Sequence, residues 1–250
     1  MAAIRHLSKA PITEAIIDFR ATLPETYRVE SLRAAGKKIQ NDYPTIEEQR
    51  SFEGQFKINM KDGELLKPVS SRGGLRGFLF RSADRIRIAQ FRIDGFTFNR
   101  LSPYSNWIDI RNEALRLWDV YRHVSAPDRL ERIALRYLNR ITIPPRGSLK
   151  TYLAVEPPRI PGVPSHLGSF LLRLGTFDPE THYVSNVTLA LEHDADPTRS
   201  LIILDIEVYT TRGLGLLGED LVPILERLHA MKNEIFFGTI TEQTARMYGG

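Results

Sequence analysis

Residues 96 to 143 leave a chain of this kind few ways to fold, because their apolar spacing changes period twice within one stretch: FTFNRLSPYSNWIDIRNEALRLWDVYRHVSAPDRLERIALRYLNRITI. Phe96 to Leu101 alternates at every second residue, the repeat of a strand with one face buried. Trp107, Ile110, Ala114, Leu117, Trp118, Tyr121 and Val124 then recur at three and four, the repeat of a helix with one apolar stripe. Past Pro127 the period returns to two, with Ile133, Leu135, Tyr137, Asn139, Ile141 and Ile143 on one face and Arg132, Ala134, Arg136, Leu138, Arg140 and Thr142 on the other. Both tryptophans of the chain lie on the helical stripe. Burial contributes roughly 25 cal/mol per Å² of apolar surface, so this helix is the expected anchor of the core. Ser102 or Ser105 is the expected cap, with Asp109 near the positive end of the helix dipole.

The same alternation of periods stands on either side. Glu14 to Leu23 reads as a strand and Arg28 to Tyr43 as a helix stopped by Pro44. Ile46 to Met60 reads as a strand. The segments 75–81, 86–93 and 96–101 follow as strands, with Asp94-Gly95 as a hairpin turn. After the central helix come the strand ending at Pro144-Pro145, a proline-rich passage from Gly147 to Pro164 with one helical turn, and strands over 167–176, 183–193 and 201–211. Gly213 to Gly218 links to a last helix over Glu219 to Phe237, striped by Leu221, Leu225, Leu228, Met231 and Ile235. The order is β-α-β-β-β-β-α, then β-(short α)-β-β-β-α. It predicts an α+β fold made of a duplicated antiparallel sheet-plus-helix unit, residues 1–126 and 127–250, joined as one compact domain in a saddle or helix-grip-like arrangement.

Composition bounds the function classes. Hydrophobic residues make up 42% and charged residues 26% of the 250, which suits a folded globular chain with a full core. No apolar run reaches the ~18–20 residues of a membrane helix, and the N-terminal sequence lacks the apolar block of a secretory signal. With no cysteine there is no disulfide framework or thiolate metal site. The expectation is a cytoplasmic protein without membrane association. Charge is unevenly spread: between Arg76 and Arg146 stand fourteen arginines and seven acidic residues with no lysine, a net +7 in a chain of net +4. Arginine without lysine suits bidentate anion contacts or interfacial ion pairs.

Four sequence passages, APITEAIIDFR, FNRLSPYSNW, ALRYLNRITIP and FFGTITEQ, stand in an order similar to that of a sporadically distributed bacterial family of uncharacterised proteins, over Leu7 to Tyr248. The resemblance carries no activity and no site residue. Patchy distribution implies genes that travel with mobile elements, such as phage-defence, toxin–antitoxin or immunity modules.

Candidate chemistry is sparse. Arg132, Arg136 and Arg140 share one strand face, and Arg87 is expected to join them while Arg92 falls opposite; in a groove these four would bind phosphates or an acidic surface. GLGLLG matches G-x-G-x-x-G by spacing but lacks the parallel strand and acidic ribose partner of a dinucleotide site, so it reads as a strand–helix joint. His182 and His193, with Glu192 or Asp194, are a minor metal candidate. Asp205 and Glu207 share a strand face as paired acids and read as solvated positions. No nucleophile elbow or Walker lysine appears, and neither cofactor nor metal is expected. The function reads three ways: foremost a non-enzymatic interaction protein binding a partner from its gene neighbourhood; next a nucleic-acid-binding protein using the arginine face; last a small-ligand or enzymatic protein with a helix-grip cavity.

Overall fold

The computed structural model describes residues 7–51, 73–145, 148–158, 160–162, 167–193, 196 and 198–250, with 193 and 219 described by backbone alone. The strand expected from Ile46 begins as β2 (Thr45–Arg50), and its continuation to Met60 lies outside the described residues. The other strands are β1 (Ile12–Thr22), β3 (Leu75–Arg81), β4 (Arg87–Arg92), β5 (Gly95–Leu101), β6 (Arg129–Ile143), β7 (Phe170–Phe177), β8 (Tyr183–His193) and β9 (Ser200–Thr210). They form one sheet in the order β2-β3-β4-β5-β1-β6-β9-β8-β7, and every neighbouring pair is antiparallel. Outward from β1 run β5, β4 and β3; outward from β6 run β9, β8 and β7. The 126/127 boundary falls between a helix and β6, and the β1–β6 pairing crosses it, with Ile17 opposite Leu135 and Asp18 opposite Ala134.

Alternation in β1 is complete: Ala15, Ile17, Phe19 and Ala21 are buried, while Glu14, Ile16, Asp18 and Arg20 face the other way. The β4–β5 hairpin turns at Gly95, whose φ is +138° and whose absent side chain would have met the Phe19 carbonyl oxygen at 2.0 Å. Only glycine tolerates both demands.

The helices are α1 (Ala35–Ile39), α2 (Trp107–Ser125), α3 (Leu149–Tyr152), α4 (Gly218–Thr239) and α5 (Glu242–Met247). The helix expected over Arg28 to Tyr43 is a 3-10 segment, Val29–Ala34, running into the short α1. α2 is capped by Asn106, whose side chain accepts from the Asp109 backbone N–H at 2.9 Å; neither Ser102 nor Ser105 takes that role. α2 packs on β5 and α4 on β9 and β6, side by side on one face of the sheet. Under α2 the rings of Phe19, Phe91, Phe96, Trp118 and Tyr121 interlock, Phe19 and Trp118 stacking at 5.0 Å. Trp118 donates its indole N–H to the Leu216 carbonyl at 3.0 Å, and Tyr121 its hydroxyl to the Arg92 carbonyl at 2.9 Å. The aromatic stripe is core, and its polar atoms are satisfied as buried ones must be.

α4 differs from expectation in its phase. Its buried line is Leu221, Leu225, Leu228, Lys232 and Phe236, whereas Met231 and Ile235 are only partly buried. Among the described residues no helix is long and apolar enough to cross a membrane.

Candidate ligand-binding cavity

Arg132, Arg136 and Arg140 of β6 lie on the face away from the helices, and two of these three are held by carboxylates. Arg132 reaches Glu207 at 2.5 Å and Asp18 at 3.4 Å, with its guanidinium 4.1 Å from the centre of the Tyr209 ring. Arg136 grips both oxygens of Asp205, at 2.8 and 2.6 Å. Arg140 is exposed and has no ion pair among the described residues. Arg87 and Arg92 exchange places relative to the sequence reading. Arg92 joins the β6 arginines by bonding Asp18 at 3.0 Å and Asp94 at 2.9 Å. Arg87 is on the helix-bearing face, 5.4 Å from the Tyr43 ring centre and 3.9 Å from Glu113. The reason is that Ala89 and Phe91, not Ile88 and Gln90, point into the core of β4.

The Arg92 and Arg132 pairs belong to one polar row. Arg92 donates to Thr97, Thr97 to Asp18 at 2.6 Å, Arg132 to Asp18 and Glu207, and the Asn186 amide to Glu207 at 2.9 Å. The row crosses β4, β5, β1, β6, β9 and β8. Burial works to raise the Glu207 carboxyl, but the Asn186 amide and the Arg132 guanidinium outweigh it and hold the group below its ordinary value. Asp205 and Glu207, expected as solvated positions, are thus ion-pair partners, and positive charge on this face is largely matched strand by strand.

The other sequence candidates resolve locally. The GLGLLG passage joins β9 to α4 and supplies the carbonyl that receives Trp118. His182 sits at φ +59° beside the Phe177 ring, and the His193 side chain lies outside the described residues. Among the described residues no three His, Cys, Asp or Glu side chains are grouped as metal ligands.

On the helix side, where the first turn of α2 meets the middle of α4, lies a cavity of about 480 Å³. The passage before β1 gives it Leu7 and Ala10, β1 gives Ile12 and β6 gives Asn139. Tyr104, Trp107, Ile108 and Arg111 come from the α2 end, and His229, Lys232, Phe236 and Phe237 from α4. Ile108 is 58% exposed and marks where the cavity opens. By surface most of the wall is apolar or aromatic, and Asn106, Glu226 and Asn233 join the polar side chains of its lining.

Each polar group there has a defined state. Arg111 pairs with Glu226, which also accepts the Trp107 indole N–H at 2.8 Å. His229 lies flat on Trp107, ring centres 4.3 Å apart; burial, and then the charge of Lys232, push its imidazole down to about 3, so it is neutral. The Tyr104 and Tyr137 hydroxyls face each other at 3.4 Å. Lys232 is 6% exposed, with Nζ 2.6 Å from the Asn233 amide oxygen and 4.0 Å from the centre of the Tyr137 ring. It has no acidic partner among the described residues. Burial pushes its amine from 10.5 down to about 7, the expected response of a cation denied both water and a counter-charge.

The sequence carried a signal for Lys232. It stands four residues after Leu228 and four before Phe236, in line with a run of leucines at helical spacing. A lysine in phase with an apolar stripe is either a snorkelling surface residue or a buried one, and the shorter line through Met231 and Ile235 hid it. No family model matches the chain, and no curated protein matches it.

Proposed function

We propose that this protein binds a small molecule in the cavity between α2, α4 and the sheet, with an apolar body against Ile12, Ile108, Phe236 and Phe237 and a polar head at Lys232. The observation that carries this reading is a lysine 6% exposed, on the wall of an otherwise mainly apolar cavity, without an acidic partner among the described residues. A buried ammonium without compensation costs several kcal/mol, and such a cost is characteristic of functional sites. A thermal-shift screen of small amphiphiles tests it. Ligands that raise the melting temperature of the native chain, and fail to do so once Ile108→Glu blocks the opening, support it. A panel of apolar acids, alcohols and ketones that leaves the temperature unmoved sinks it.

The cavity sits within what we read as an internal duplication. In support, α2 and β5 in one arm correspond in order and packing to α4 and β9 in the other. The likeness to the sporadically distributed bacterial family is part of the same reading.

A second reading, in which the chain engages a partner protein, is favoured by β7. This edge strand carries Leu171, Leu174 and Phe177 at 75%, 48% and 59% exposure. Exposed edges with apolar side chains recruit further strands. Antiparallel pairing centred on Leu174 sets Leu171 of one copy against Phe177 of another, and the one charged side chain, Arg173, against Gly175. The occupant this register fits is a second copy of the chain. Sedimentation velocity should show dimers that Leu171→Lys with Phe177→Lys abolishes; a monomer at every concentration overturns the reading.

A further inference from the structure

We propose that the head group taken by the cavity is a singly charged anion, a carboxylate on an apolar body, and that it enters with uptake of a proton by the protein. This rests on the cavity being a ligand site and names the chemistry of what it holds.

Most polar groups along the wall are already engaged. Arg111 and Glu226 cancel each other. Asn106 is engaged at Asp109 through both its amide atoms, accepting the backbone N–H at 2.9 Å and donating to the carboxylate at 2.6 Å. Asn139 donates to the Leu204 carbonyl at 2.9 Å. Tyr104 and Tyr137 share one hydroxyl–hydroxyl bond at 3.4 Å, which leaves one O–H free to donate but brings no charge, and His229 is stacked and neutral. What remains without a counter-charge among the lining residues is one amine, that of Lys232. An ammonium has three N–H donors, and the Asn233 oxygen and the Tyr137 ring face engage two directions at most. A neutral head, alcohol or amide, offers no counter-charge, so it meets the amine in its neutral form and gains no ion pair. A phosphate dianion would bring one negative charge too many. A monocarboxylate closes the balance, and a lysine meets it as a point charge rather than through the fork an arginine would offer.

The proton follows from the surroundings. The Tyr137 ring and His229 are next to Lys232, and the other titratable groups on the same cavity wall are Glu226 on its own helix, Tyr104 before α2 and Arg111 on α2, with the apolar Ala10 and Ile12 on the β1 side. Glu226 is committed to Arg111, so none of these holds the ammonium charged. Burial leaves the empty site's amine titrating at about 7, so at pH 8 it is mostly neutral. A bound carboxylate favours the charged form and draws a proton in.

Calorimetric titration of the native chain with octanoate, 1-octanol and octyl phosphate at pH 8, in buffers of different ionisation enthalpy, tests this. Octanoate should bind at least tenfold more tightly than octanol or octyl phosphate and take up close to one proton per ligand. Lys232→Met should bring octanoate down to the level of octanol. Equal binding of octanoate and octanol, or octanoate binding without proton uptake, overturns the carboxylate assignment while the cavity reading stands. Failure of all three probes to bind at millimolar concentration overturns both.

Discussion

Lys232 holds its ammonium in a place where a methionine would fit with less cost. The gap between 10.5 and about 7 corresponds to about 5 kcal/mol. The sign is unfavourable to folding. Below about pH 7 both folded and unfolded chains carry the proton and the full penalty applies. Between about 7 and 10.5 the unfolded chain binds the proton and the folded one does not, so this group makes stability rise with pH. Lys232→Met is therefore expected to stabilise the empty protein by a few kcal/mol at pH 6 and to flatten that rise, as denaturant titrations at pH 6, 8 and 10 would show. His229 acts in the acid range. Its imidazole is neutral in the fold down to about pH 3 against 6.5 unfolded, so stability falls as pH drops through that window. His229→Phe should remove that part of the loss while keeping a ring on Trp107.

Among the elements, β1 organises the polar face as α2 organises the apolar one. Asp18 is the point where Arg20, Arg92, Arg132 and Thr97 converge, its side chain 13% exposed. Asp18→Asn leaves three guanidinium groups short of a charge and should cost about 3 kcal/mol. Arg140, exposed and without an ion pair among the described residues, is the control: Arg140→Ala should stay within about 0.5 kcal/mol. Equal effects in urea denaturation would mean that the row across the sheet does not hold it together. On the other face, Trp118→Ala removes the ring stacked on Phe19 and Tyr121 and should cost about 3–5 kcal/mol.

At the scale of the whole molecule, the nine strands hydrogen-bond continuously from β2 to β7, and one buried apolar cluster includes residues of β1, α2, β6, β9 and α4. The first and second halves share the β1–β6 ladder, so neither buries its central strand alone. Calorimetry should show one unfolding transition with equal calorimetric and van't Hoff enthalpies. Two separable transitions would mean that the halves fold as independent units despite the shared ladder.

What the sequence determined by itself was the order of elements and the inward face of most of them. Period-two and period-3.6 spacing report local geometry directly, and they gave the inward face of β6 and the buried stripe of α2. The partners of those faces were a tertiary matter. Arg87 and Arg92 are five residues apart and so necessarily oppose each other, but which one faces the helices depended on Phe91 of the sheet meeting Tyr121 of α2. Asn106 displaced two serines as cap because it is the extended residue directly before the first helical turn, with its side chain at the Asp109 backbone N–H. The cavity and the solitary charge of Lys232 were decided last, by two helices 100 residues apart in sequence coming to lie side by side. Desolvation is set by everything that surrounds a group, and no spacing along a single helix records it.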